Sequence, residues 1–172
     1  MAQRTVKFKD KSLPLVGPQL KAGDAAPNFA CVTGPFEVVT LTKTPAKARL
    51  FSVVPSLDTP VCSMQTKKFD EAVASLKDKV ASYTVSMDLP FAQKRFCSAE
   101  HISNMQSLSD THDQSFGKSY GVLIEGLEFP LLSRAIFVVD RNNKITYCEY
   151  VPEVGSHPNY EKAVEALKAA AG

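Results

Sequence analysis

Residues 49 to 76 constrain the fold of this chain more than any other stretch. Arg49 to Val54 is an apolar run of strand length. Further on, Phe69, Ala72, Val73 and Leu76 recur at helical spacing, with Lys67, Lys68, Asp70 and Glu71 left for the wet face. Only Pro55-Ser56-Leu57-Asp58-Thr59 separates that run from a helical segment that starts Pro60-Val61-Cys62. Thr59 suits a helix N-cap, and Pro60 suits the first helical position because its missing N–H would be unpaired there anyway. A strand therefore feeds a helix through a short turn, and Cys62 falls at the third helical position. Unpaired N–H groups and the positive end of the helix dipole favour an anion there. The anion a cysteine offers is the thiolate, its reactive form.

The rest of the chain alternates in the same way. Residues 5 to 16, within a hairpin spanning about 4–17, alternate around Lys9-Asp10-Lys11-Ser12. Asn28 to Thr33 and Phe36 to Leu41 read as strands joined by Thr33-Gly34-Pro35. Val80 to Met87 is a strand, and Asp88-Leu89-Pro90 opens a second helix running to Cys97. Residues 98 to 111 are polar and read as a loop with short helical pieces. Asp113 to Tyr120 reads as a short helix ended by Gly121. Arg134 to Val139 and Ile145 to Val151 form a hairpin, and Asn159 to Ala171 a final helix with Tyr160, Val164 and Leu167 on one face. This order predicts one domain over 1–172: an α/β, thioredoxin-like sandwich with a central mixed β-sheet flanked by helices and an N-terminal β-hairpin.

Composition narrows the function classes. The 172 residues are 44% hydrophobic and 22% charged, as in globular proteins. A net charge of +2, with no basic run interleaved with aromatics, argues against a nucleic-acid partner. No apolar run is long enough to span a membrane, and the start Met1-Ala2-Gln3-Arg4-Thr5-Val6-Lys7 lacks a leader's apolar core, so the expected location is cytoplasmic. The four cysteines, Cys31, Cys62, Cys97 and Cys148, contain no C-x-x-C pair, which disfavours a zinc ribbon or a thioredoxin-type dithiol. His101, His112 and His157 lack ligand spacing to any cysteine. No metal or other cofactor is expected. Cys31 and Cys148 lie in apolar, strand-like segments and read as packing residues.

The segments Ser56-Leu57-Asp58-Thr59-Pro60-Val61-Cys62, Asp88-Leu89-Pro90-Phe91-Ala92-Gln93, Arg95-Phe96-Cys97 and Ser133-Arg134-Ala135, in that order, resemble the bacterial thiol peroxidase branch of the peroxiredoxins. Pro55, Thr59 and Cys62 carry the P-x-x-x-T-x-x-C pattern of that family. The resemblance implies that Cys62 is the peroxidatic cysteine and Cys97 the resolving one, closing an intramolecular disulfide. It implies that Thr59 hydrogen-bonds the thiolate and the peroxide, that Pro55 shields the sulfur, and that Arg134 brings positive charge beside it. It also implies hydrogen peroxide and organic hydroperoxides as substrates, thioredoxin as reductant and a homodimer. Two alternatives stay open: a thiol–disulfide oxidoreductase on the same fold, disfavoured by the missing C-x-x-C, and a non-catalytic redox sensor.

Overall fold

The apolar runs become the middle of a seven-stranded mixed sheet. The computed structural model describes residues 3–172; Met1 and Ala2, the first two residues of the start read above, lie outside them. In chain order, β1 (Thr5–Phe8) and β2 (Lys11–Val16) form the N-terminal hairpin, and β3 (Ala30–Gly34) and β4 (Glu37–Thr40) a second one. Then follow β5 (Ala48–Val53), α1 (Pro60–Val73), β6 (Val80–Ser86), α2 (Pro90–Ala99), β7 (Gln106–Ser109) and α3 (Ser115–Ser119). Short β8 (Leu123–Ile124) and β9 (Leu131–Leu132) precede β10 (Ala135–Val139), β11 (Ile145–Tyr150) and α4 (Tyr160–Ala171). The large sheet has the order β11-β10-β5-β6-β7-β3-β4, and a small sheet the order β1-β2-β8-β9.

Both faces of the central strands are covered, so β10 reads as an unbroken apolar run and β5 and β6 as mostly apolar ones, with buried Ser52, Ser82 and Thr84 among them. The period of two sorts their side chains. Phe51 and Val53 of β5, with Ala135, Phe137 and Val139 of β10, join an aromatic core around Phe29, Phe116 and Tyr120. Leu50, Ile136 and Val138 face the other way, onto Phe69 and Val73 of α1 and Ala163 and Leu167 of α4.

Two expectations change. The polar stretch 98–111 contains β7, which pairs parallel with β6 and antiparallel with β3. Its residues are Gln106, Ser107, Leu108 and Ser109, without the apolar alternation that marks a strand. The stretch 113–120 holds a five-residue helix, entered through Gln114 at φ 60.

What matters for the site is the pairing of β5 with β6. They run parallel, from Ala48 beside Val80 to Val53 beside Val85. Their C-terminal ends therefore emerge at one edge of the sheet, where α/β folds hold their ligands. Both following helices begin there, each with proline in its first turn.

Candidate active site

Cys62 sits at the third position of α1 and is fully buried. It packs in a small apolar cluster with Val54, Leu57 and Phe96, against which Cys97 and Ile102 are also packed. Both cysteines are free thiols. Cys97 is half-buried, its Sγ lies 3.3 Å from Ser107 Oγ, and burial pushes its thiol up from the ordinary value. The turn before α1 is built by its neighbours. Thr59 occupies the N-cap position but makes no side-chain cap; its hydroxyl donates instead to the Ser56 carbonyl at 2.8 Å. With that hydrogen committed, the Thr59 oxygen offers lone pairs to a ligand.

Arg134 stands just before β10 and is only 2% exposed. Its Nε and Nη2 donate to Val154 O at 3.2 and 2.6 Å, and Nη1 donates to Gln65 Oε1 at 3.0 Å. Gln65, fully buried one turn along α1 from Cys62, donates through Nε2 to Ser52 Oγ at 2.7 Å. Three of the five guanidinium N–H groups are thus used, leaving two for a ligand. Tyr160, at the start of α4, has its phenol pushed up to about 12, mainly by burial. Arg134 opposes that change and Cys62 adds to it, which places all three groups in one electrostatic neighbourhood.

A cavity of about 470 Å³ opens here. Pro55, Thr59, Pro60, Val61 and Arg134 line it, and Phe8, Phe129, Leu131 and Val154 complete mostly apolar walls. Pro55 is buried, Thr59 exposed. Pro55, Thr59 and Arg134 therefore meet at one pocket, beside the first turn of α1 that carries Cys62. Cys97 lines a separate cleft of about 330 Å³ with Gln93, Lys94 and Ser107. Cys31 is buried with Sγ 3.8 Å from Asp110 Oδ1, and Cys148 is half-buried, donating to Leu20 O at 3.2 Å. Among the described residues no group of three or more His, Cys, Asp or Glu side chains could hold a metal ion.

Sequence reasoning missed Gln65. Its place within α1, one turn after Cys62, was visible, but only its bond to Arg134, 69 residues away, marks it as part of the site.

A free cysteine at a helix start, above a parallel strand pair and in one electrostatic neighbourhood with a buried arginine, defines a thiol-based redox enzyme on a thioredoxin-like fold. Known proteins agree. The redoxin family matches residues 21–164. A thiol peroxidase of Halalkalibacterium halodurans is 51% identical over 166 residues, covering 96% of this chain and 98% of that one. A thiol peroxidase of Bacillus subtilis is 48% identical over 164 residues, covering 95% and 96%. The crystal structure of a peroxiredoxin-like protein from Aquifex aeolicus superposes with a TM-score of 0.89 at 42% identity, covering 97% of each chain. The chain belongs to the redoxin family and, within it, to the peroxiredoxin-type thiol peroxidases.

Proposed function

We propose that this enzyme reduces hydrogen peroxide and organic hydroperoxides through a Cys62 sulfenic acid and an intramolecular Cys62–Cys97 disulfide, recycled by thioredoxin. The observation that carries the reading is the pocket at the N-terminus of α1, with Arg134 in its wall and Cys62 in the first turn behind it. The Cys62 thiolate attacks one peroxide oxygen; the O–O bond breaks, and water or alcohol leaves after taking a proton. Negative charge grows on the departing oxygen, where the two free N–H groups of Arg134 would bind it. The Thr59 oxygen would accept from the peroxide hydroxyl. It can donate to the thiolate only by giving up Ser56 O. Pro55 walls the sulfur from bulk solvent. The apolar side of the pocket suits the organic part of a hydroperoxide.

Cys97 then attacks the sulfenic acid, water leaves, and the disulfide forms. Phe96 and Cys97 already belong to the apolar cluster around Cys62, which supports this partner over Cys31 or Cys148. We also propose a cytoplasmic homodimer. Met64 on α1, Phe91 on α2 and Leu89 just before α2 leave large apolar side chains exposed, which supports an interface near the site. Among the described residues no helix is long and apolar enough to cross a membrane.

Intact-mass analysis after one equivalent of peroxide tests the cycle. Each wild-type chain should become about 2 Da lighter, with its own Cys62 and Cys97 joined and no covalent link between chains. Cys97→Ser should still consume one equivalent of peroxide but lose turnover with thioredoxin, and excess peroxide should carry its Cys62 to sulfinic acid. A disulfide-linked dimer, or Cys97→Ser turning over as fast as wild type, defeats the proposal.

A further inference from the structure

Asp88 lies between β6 and α2, away from the peroxide pocket, yet its carboxylate reaches across to the loop before α1. Asp88 Oδ1 accepts from Ser56 Oγ at 2.8 Å, and Oδ2 accepts from the backbone N–H of Leu57 at 2.8 Å. Oδ2 also accepts from Ser86 Oγ at 2.8 Å, while the Asp88 carbonyl accepts from Ser109 Oγ at 2.6 Å. Ser86 and Ser109 are fully buried at the ends of β6 and β7. The carboxylate is thus rooted in the sheet on one side and holds the 55–59 loop on the other. That loop passes the constraint on: the Ser56 carbonyl accepts both the hydroxyl and the backbone N–H of Thr59, at 2.8 and 3.1 Å. The orientation of Thr59 is therefore set by Ser56, and that of Ser56 by Asp88. Two residues after Asp88, α2 begins and leads to Cys97.

We propose that Asp88 is a positioning residue that latches the Cys62 loop to the root of the Cys97 helix. It holds the folded site in which peroxide is reduced, and its release sets how readily Cys97 reaches the Cys62 sulfenic acid. The inference rests on the cycle proposed above. While the latch is closed, the sulfenic acid stays in the site where a second peroxide can oxidise it to sulfinic acid. When it opens, the disulfide forms instead. The exposed Asp58–Arg95 pair, 3.3 Å apart, joins the same loop and helix from the surface. An exposed pair of this kind contributes little, which makes it a control.

The test compares wild type, Asp88→Asn, Ser56→Ala and Arg95→Ala. Stopped-flow oxidation of Cys62 by hydrogen peroxide is read alongside the sulfinate-to-disulfide ratio from mass spectrometry at graded peroxide. In Asp88→Asn the negative charge is lost and an amide NH2 replaces one acceptor oxygen, so the Ser56 hydroxyl must reverse its bond and the Leu57 N–H and Ser86 hydroxyl keep only a neutral acceptor. Losing such bonds to a charged group should slow Cys62 oxidation roughly tenfold or more. The sulfinate fraction should fall at least severalfold, because the site opens sooner. Ser56→Ala removes the bond to Asp88 Oδ1 and a longer one from the Asp58 N–H, but leaves Leu57 and Ser86 on the carboxylate, so it should move both readouts less but in the same directions, and Arg95→Ala should match wild type. A fall in oxidation rate with an unchanged sulfinate-to-disulfide ratio is the signature of a merely misfolded fraction and overturns the latch. So does Asp88→Asn behaving as wild type, or Ser56→Ala shifting neither readout. Wild type forming no Cys62–Cys97 disulfide overturns the cycle itself and the latch with it.

Discussion

Arg134 is held in place by its other contacts, as the fixed charge of the proposed cycle would need to be. A buried guanidinium must find partners for its N–H groups, and Val154 and Gln65 supply them. Gln65 is held in turn by Ser52 on β5. Arg134→Met should slow Cys62 oxidation by roughly a hundredfold, the scale of removing one donor from a developing charge. Gln65→Leu leaves Arg134 Nη1 short of an acceptor and should slow the same step roughly tenfold. Gln65→Glu keeps an acceptor toward Arg134 and can accept from the Ser52 hydroxyl, so it should restore most of the rate. Stopped-flow oxidation in the three variants decides the matter; if Gln65→Glu is as slow as Gln65→Leu, Gln65 does not act through Arg134. The motif around Cys62 was legible because a helix start is written in adjacent residues. Gln65 was not, because a glutamine in a helix reads as a polar-face residue until its distant partner is known.

Helix α3 is too short to hold itself, and a buried carboxylate anchors it. Asp110 Oδ1 accepts from the Phe116 N–H at 3.0 Å and Oδ2 from the Gly117 N–H at 2.8 Å. Burial nonetheless wins, pushing the Asp110 carboxyl up from 3.8 to about 6, against the pull of those two bonds and of Cys31. A carboxyl raised in the folded state contributes stability that is present below its unfolded value and lost as pH rises through its folded value. The stability advantage of wild type over Asp110→Asn should therefore shrink between about pH 4 and pH 7, by up to roughly 3 kcal/mol. Urea unfolding of both proteins across that range measures it. A gap that widens with pH would show that the N–H bonds, not burial, govern Asp110. This element also marks a boundary of sequence reading. The turn at Gly121 and a helix near 113–120 were legible, whereas β7 was not. Its serines and glutamine are placed by pairing with β6 and β3, and no local period records that pairing.

Beside the small sheet, the segments that follow β2 and precede β8 touch backbone to backbone. Gly17 has φ +96 and Gly121 φ +71; a Cβ on Gly17 would collide with the Lys118 carbonyl, and one on Gly121 with the Pro18 carbonyl. Arg4 Nη1 clasps the junction, donating to the carbonyls of Gly17, Pro18 and Gly121 at 3.2, 3.1 and 3.0 Å. Gly121→Ala combines left-handed backbone strain with a clash against main chain, neither of which a side chain can relieve. It should cost about 3 kcal/mol or more. Thermal melting should show a fall of many degrees, whereas Gly155→Ala, where an added Cβ meets nothing, should melt near wild type. Equal melting of the two variants would mean that the junction yields. At this scale the sequence by itself determined the alternation of strands and helices, the hairpins, the last helix and the helix start that presents Cys62. Each of these is encoded within a few residues, by period, cap or turn. Only the tertiary structure decided what surrounds Cys62. The parallel pairing of β5 and β6 brought two helix starts to one edge, Arg134 arrived from the chain just before β10, and Asp88 and Gln65 gained partners 31 to 69 residues away. A buried polar side chain is tolerable only beside its partner, and here that partner comes from a distant part of the chain.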